Sequence, residues 1–277
     1  MLPLMAYAER HDIHAEADRP GAGTGTNVLD RGFIQWELGF EVSHYGGMHD
    51  LTLPDALFRF GVCPWAEIRL WYAGIMAVFD HPDTIPSSQD IYFYSPAPLF
   101  IGSKLRVWPG SEEPNLRWIP RTSVLLNLGL PTTKTYAENI PLCGMVDFLF
   151  ENDLAEWLTL GYDLGVYWTE WQPTPDVFAS LAFNFAPTEK LGVFIEGYGI
   201  FDPDAVKMNL TNGNWENFTA CDINLDFGLT YMAHRYVQLD IYGGINLYHS
   251  YPNFSSLLNN VTAGFGVTWL LHHPHEL

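Results

Sequence analysis

Residues 32–44, GFIQWELGFEVSH, divide by parity into two unlike sets. Ile34, Trp36, Leu38, Phe40 and Val42 are large and apolar, whereas Gln35, Glu37, Gly39, Glu41 and Ser43 are mostly polar. A β-strand sends successive side chains to opposite faces, so this stretch reads as a strand with one oily and one wet side. A helix would need its apolar residues every three to four positions, and no segment of useful length has that period.

The alternation returns down the chain, at 55–62, 67–78, 99–108, 116–130, 140–151, 157–168, 176–185, 191–201, 221–231, 237–246 and 260–270. That predicts about twelve strands of roughly ten residues, the length a tilted strand needs to cross a bilayer. Short links (CPWA at 63–66, PGSEEPN at 109–115, ENDLAE at 151–156, APTEK at 186–190, MAHR at 232–235) alternate with longer ones at 79–98, 131–139, 202–217 and 247–259. The link at 45–50 is a short exception on the long side. Short turns at one end and long loops at the other is the arrangement of outer-membrane barrels.

Two environments could receive the oily faces. In a soluble sandwich they would turn inward and leave smooth charged faces outside. Here the wetter faces carry Gly, Asn, Asp and isolated Arg, and the oily ones end in aromatics such as Trp36, Phe58, Trp168, Tyr231 and Trp269, which suits the girdles at the two membrane interfaces. Aromatics reach 15% and charged residues only 16%, below the quarter or so usual in soluble proteins. The expected fold is therefore all-β: a closed antiparallel transmembrane β-barrel at 32–270, after a lead-in at 1–31 and before a tail at 271–277. No apolar run is long enough for a transmembrane helix.

Thirteen basic against 32 acidic residues give a net charge of −19, which argues against a nucleic-acid partner. Parity sorts the charges of the strands. Arg59, Arg69, Lys104, Arg106, Arg117 and Arg121 share the wet parity on four consecutive strands, most of them close to a short, periplasmic turn. Glu37, Glu41, Asp147 and Asp163, then Glu196, Asp222, Asp226 and Asp240, take the same parity elsewhere. A basic wall facing acidic walls would set a transverse field across a pore. Alternatively the charges pair inside a filled barrel, as buried charges must. Both readings stand at this point. Trp71, Trp157, Tyr167 and Phe178, with Phe194, Tyr198 and Tyr242, also have lumen parity and would form either an apolar solute path or plain filler.

Little else carries chemistry. Cys63, Cys143 and Cys221 are too widely spaced for a zinc site or a disulfide framework. Ser43–His44 and His249–Ser250 are strand neighbours pointing to opposite faces, so neither makes a nucleophile–base pair. The tail histidines His272, His273 and His275 read as exposed, and the sequons at Asn209, Asn217, Asn253 and Asn260 carry no weight in a bacterial barrel. No cofactor, metal or nucleotide-binding loop is implied, and an enzyme is not expected. At the N-terminus, Ala6-Tyr7-Ala8 has the small-x-small form of a signal-peptidase site without a charged region before it, so a signal remnant and a coincidence both fit. Residues 9–31 have no strand pattern, and either a lumen plug or a periplasmic segment fits them.

Four stretches also carry a family likeness: AEADRPGAGTGTNVLDRGFIQWELGFEVS (15–43), LPDALFRFGVCPWAEIRL (53–70), LGVFIEGYG (191–199) and LTYMAHRYVQLDIYGG (229–244). Together they resemble the bacterial outer-membrane "transporter" barrels labelled as a MetA-pathway of phenol degradation. The most specific parts are Asp18-Arg19-Pro20-Gly21, the first strand QWELGFE and the late VQLD. The likeness implies an outer-membrane barrel, partnered by lipid, that passively passes or binds a small solute, with aromatic and hydrophobic compounds among the candidates. It brings no catalytic motif. The tail LLHHPHEL departs from the aromatic-ended last strand such barrels commonly have. Two rival readings remain: a non-transporting structural or surface-binding barrel whose acidic loops, such as 80–90, meet partners outside, and a soluble β-sandwich or barrel.

Overall fold

The computed structural model describes residues 14–45, 48–80, 91–111, 116, 118–132, 142–170, 174–208, 215–250 and 261–272. The expectations for Ala6-Tyr7-Ala8, Arg117, Asn209, Asn253, Asn260, His273, His275 and the acidic loop at 81–90 lie outside them.

The described residues form one antiparallel sheet and no helix. Its strands are β1 (Phe33–Tyr45), β2 (Met48–Cys63), β3 (Ala66–Tyr72), β4 (Ile75–Asp80), β5 (Ile91–Pro96), β6 (Leu99–Trp108), β7 (Arg121–Leu130), β8 (Cys143–Ala155), β9 (Leu158–Thr169), β10 (Asp176–Phe185), β11 (Leu191–Met208), β12 (Trp215–His234), β13 (Val237–His249) and β14 (Val261–His272). β1 pairs with both β2 and β14, which closes the sheet on itself. Closure is what lipid demands, because hydrocarbon satisfies no backbone hydrogen bond at a bare edge.

Fourteen segments make twelve staves. β2 pairs with β3 along one half and β4 along the other, while β6 pairs with β3 and β5 with β4. β3/β4 and β5/β6 are thus two interrupted staves. The interruptions adjoin: the Ala97 N–H donates to the Gly74 carbonyl across them at 2.8 Å. Gly74 takes φ +77°, and a Cβ there would sit 2.5 Å from the Pro54 carbonyl of β2. Pro54 and Pro98 cannot donate to the ladder, so the fault runs where the sequence withholds N–H groups.

Several boundaries differ from the expected ones. β7 begins at Arg121, not 116, because Pro120 cannot donate to the ladder. Of the expected loop 79–98, residues 91–96 are a strand. Of 202–217, most is ladder: β11 and β12 shift register between Asp202 and Ala205, at Pro203, then pair on to Met208 and Trp215. A single proline ends the alternation in sequence but costs the sheet only a bulge.

The barrel is inside out relative to a soluble protein. Its largest fully buried side chains include Arg59, Lys104, Glu37 and Glu67, while Trp36, Leu164, Ile241, Phe265 and Trp269 lie exposed on the outer face. Buried charges without an oily core are not how a water-soluble chain folds. The belt extends around the barrel on consecutive strands and its cross-strand pairs are apolar, as with Ile241 opposite Phe265. An exposed surface of this kind is covered by lipid. Ile241→Arg is accordingly expected to destabilise the barrel by about 2–4 kcal/mol, the cost of a basic residue on a lipid face near mid-membrane, measured by urea unfolding in phospholipid vesicles.

Candidate functional site

The lead-in from His14 to Gly32 enters at the end of the barrel bearing the short turns and lies inside it. A small apolar cluster of Ala15, Leu29, Phe33 and Leu270 seats it at that rim. Beyond this cluster its hydrogen bonds and ion pairs to the wall are made by Glu16, by the motif Asp18-Arg19-Pro20-Gly21 and by the residues just after it.

Asp18 is the hub. Lys104 Nζ donates to its two carboxylate oxygens at 2.7 and 2.8 Å, Arg69 donates to Oδ2, and the Arg59 guanidinium stands 3.5 Å away. Arg59 also makes a two-pronged pair with Glu67 at 2.8 and 2.9 Å and reaches Glu37 at 3.1 Å. Three cations thus meet three carboxylates, and the cluster is neutral. Planar guanidinium against carboxylate is the strong, geometrically selective form of such a pair. Burial pushes the Asp18 carboxyl up, but the Arg59, Lys104 and Arg69 charges outweigh it and hold the group well below the usual carboxylate range.

The same cations grip the lead-in backbone. Arg59 donates to the carbonyls of Glu16 and Asn27, Lys104 to those of Gly25 and Asn27, and Arg106 to that of Val28. Ser123 Oγ donates to the Thr26 carbonyl at 2.6 Å. Across the lumen the polarity reverses: the N–H groups of Ala22 and Gly23 donate to Glu196 at 2.8 and 2.7 Å, and that of Thr24 to Asp163 at 2.7 Å. A turn with free N–H groups is a ready seat for a carboxylate, and Gly21 makes it with φ +111°.

Arg19 occupies a slot cut into the wall. Asp55, Gly39, Gly266 and Asp240 form one cross-strand row over β2, β1, β14 and β13. The Arg19 guanidinium pairs with Asp55 and rests over the two glycines; a Cβ on Gly39 would come within 2.1 Å of its Cζ. Glycine at both positions is what leaves room for it.

The residues singled out by parity stand as follows. Arg59, Arg69 and Lys104 are buried in the hub; Arg106 and Arg121 are half-buried, Arg121 pairing with Asp153 and Glu151. Glu37, Asp147, Asp163, Glu196, Asp226 and Asp240 are buried inside, and Glu41 and Asp222 half-buried. Tyr242 donates to Glu41, and His249 and Asp222 meet at 3.1 Å. Trp71 stacks on Phe100 with centroids 4.6 Å apart and donates to Asp55. Phe194 and Tyr242 are buried, Phe178 and Tyr198 lie 6.3 Å apart, and Tyr167 is half-buried. Trp157 is the exception: it lies on the β8–β9 turn, largely exposed and 6.2 Å from Phe185, not on a strand wall.

Asp18 stands out in the sequence only within the family motif, and the charges sorted by parity omit Asp55 and Glu67, although both have the parity of Arg59 and Arg69. The signal was present as opposite charges two or four residues apart on one strand face.

Between the lead-in and the wall of β8–β13 a cavity of about 340 Å³ remains, lined by Trp157, Asp163, Ser180, Asn184, Phe194 and Glu196 among others.

Among solved structures, the COG4313 outer membrane channel from Pseudomonas putida F1 superposes with a TM-score of 0.61 at 10% identity, over 95% of this chain and 99% of that one. The KdgM porin in complex with disordered oligogalacturonate (TM-score 0.48, 8% identity, 85% and 99% covered) is more distant. So is the translocator domain of autotransporter NalP from Neisseria meningitidis (TM-score 0.48, 11% identity, 87% and 89% covered). At these identities the likeness speaks for the barrel architecture alone. No curated protein matches the chain. Residues 17–261 match the family described as "Putative MetA-pathway of phenol degradation". With the match spanning most of the sequence, from Asp18 in the lumen to the start of the last strand, this chain belongs to that family and is a bacterial outer-membrane β-barrel.

Proposed function

We propose that the protein is a passive outer-membrane channel for a small solute, closed by its own residues 14–32. The observation that carries this reading is the asymmetry of the lead-in's seat. On one side it is bound by a dense ionic hub; on the other it touches the wall through three backbone N–H groups and the Thr26 hydroxyl, which donates to Glu151, and borders the cavity. The contacts to Glu196 and Asp163 are the ones a small motion breaks, because no cation of the lead-in is tied to them. Withdrawal of residues 21–24 from these two carboxylates would join the cavity to the lumen beyond. A twelve-stranded barrel lies between the filled small barrels and the open porins, so a mobile segment of this size is enough to decide passage.

A disulfide tests it. A Cβ on Gly23 would lie 2.7 Å from Ser180 Oγ, which puts a Gly23→Cys and Ser180→Cys pair in bridging range. With the three native cysteines replaced by alanine, the oxidised double variant is expected to lose its ion current in planar bilayers and to regain it on reduction. A current indifferent to the staple rejects the lead-in as the gate. A protein giving no current in either form is the sealed, non-transporting barrel.

A further inference from the structure

We infer that the solute this lumen favours is a small organic cation, an ammonium group carried on an apolar body. The inference rests on the channel reading above and names its substrate class.

The sequence holds only three Lys or Arg after residue 142: Lys190 and Arg235 in turns and Lys207 near the outer end of β11. Through the membrane, β8–β14 therefore present no basic side chain to the lumen. They do present Asp147, Asp163, Glu196, Asp226 and Asp240, all buried. Arg59, Arg69 and Lys104 have their charge neutralised by Asp18, Glu37 and Glu67, and Arg19, beside Asp240, is paired with Asp55, so among the described residues Asp147, Asp163, Glu196 and Asp226 have no ion-pair partner. Glu196 and Asp226 stand directly opposite one another on β11 and β12, a like-charge pair that costs stability unless a cation is near.

One of these groups has an oxygen with nothing to hold: Asp147 is 3% exposed and its Oδ1 has no hydrogen-bond partner among the described residues, whereas Asp240, 5% exposed, has the Arg19 guanidinium beside it. A buried carboxylate without a partner is costly, and an arriving positive charge relieves that cost. Asp147 lies over Gly165 and Asp226 over Gly244, so the wall beside each is bare.

The rings decide what kind of cation. On the lumen parity of β11 the order is Phe194, Glu196, Tyr198; on β13 it is Asp240, Tyr242. Phe178 stands beside Tyr198. Carboxylates alternating with aromatic faces match a weakly hydrated ammonium, which ring faces attract. Among the described residues no three His, Cys, Asp or Glu side chains gather as a metal ion requires. A diffuse organic cation fits a wall whose charge is spread along five strands.

The test uses the full-length protein in planar bilayers. Under a KCl gradient the zero-current potential is expected to report cations over chloride by about tenfold, as a pore with rings of carboxylate does. With trimethylphenylammonium opposite potassium, the bulkier ion is expected to permeate at least as well as potassium, and at millimolar concentration to block the potassium current. Asp147→Asn with Asp226→Asn should lower the cation preference about threefold by removing charge while keeping shape. Current carried by chloride, trimethylphenylammonium that neither permeates nor blocks, or a preference untouched by the two substitutions overturns the inference. Absence of any current defeats the channel reading instead.

Discussion

Asp18→Ala is expected to free the lead-in from the barrel at a cost of about 3–5 kcal/mol, the range for removing one partner from a buried ionic group. The magnitude follows from the count of charges. With Asp18 present, Arg59, Arg69 and Lys104 are balanced by Asp18, Glu37 and Glu67; without it one buried positive charge is left over. The Asp18 N–H bond to Glu37 survives, but the side chain that ties residues 14–32 to three strands is gone. Limited proteolysis in detergent should cut the variant within 14–32 while the native protein resists, and urea unfolding should give the energy. Asp18→Asn keeps the shape and should fall between. The carboxyl's lowered value fixes the pH dependence. Its stabilisation is fully present above the ordinary aspartate value of 3.8 and is lost as pH falls through the lower folded value, so the anchor stays charged wherever the outer membrane is at work.

Arg59→Met should be at least as damaging, again about 3–5 kcal/mol, because it strands Glu37 in the interior, leaves Glu67 with Arg69 alone and removes the donors to the Glu16 and Asn27 carbonyls. Arg59→Lys should recover little, since an ammonium cannot make the two-pronged bond to Glu67. The two sites share one network, so Asp18→Ala together with Arg59→Met is expected to cost clearly less than the sum of the single changes. A double variant whose cost is additive would mean that the hub does not act as a unit. Urea midpoints of the four proteins decide the matter.

The staves were legible because they obey one rule repeated many times. Trp36, Leu164, Ile241 and Phe265 each lie on the face that parity gives them. What parity cannot register is a break that preserves it: β3 and β4 read as a single run at 67–78, although Gly74 interrupts the ladder there. Prolines mislead in the other direction. Pro203 and Pro96 look like loop residues, yet pairing continues around them. The hub was half legible. Arg59, Arg69 and Lys104 stood out as charges on a strand face, but their shared partner Asp18 lies in a segment with no period, and only the folded chain brings it across from 41 to 86 residues away in sequence. The Arg19 slot was illegible in principle, because Gly39 and Gly266 are separated by almost the whole chain and become neighbours only when β1 meets β14.

The central claim is that the oily faces meet lipid and the charged faces meet the lumen. Nitroxide labels on single cysteines at Leu164, Ile241 and Phe265, and at Asp226 for comparison, measure this most directly in vesicles of the protein lacking its native cysteines. The first three should collide freely with molecular oxygen, which concentrates in hydrocarbon, and be shielded from a water-soluble nickel complex, with the label at Asp226 hidden from lipid. Nickel access at Leu164, Ile241 and Phe265 equal to that of a water-exposed loop would contradict the account.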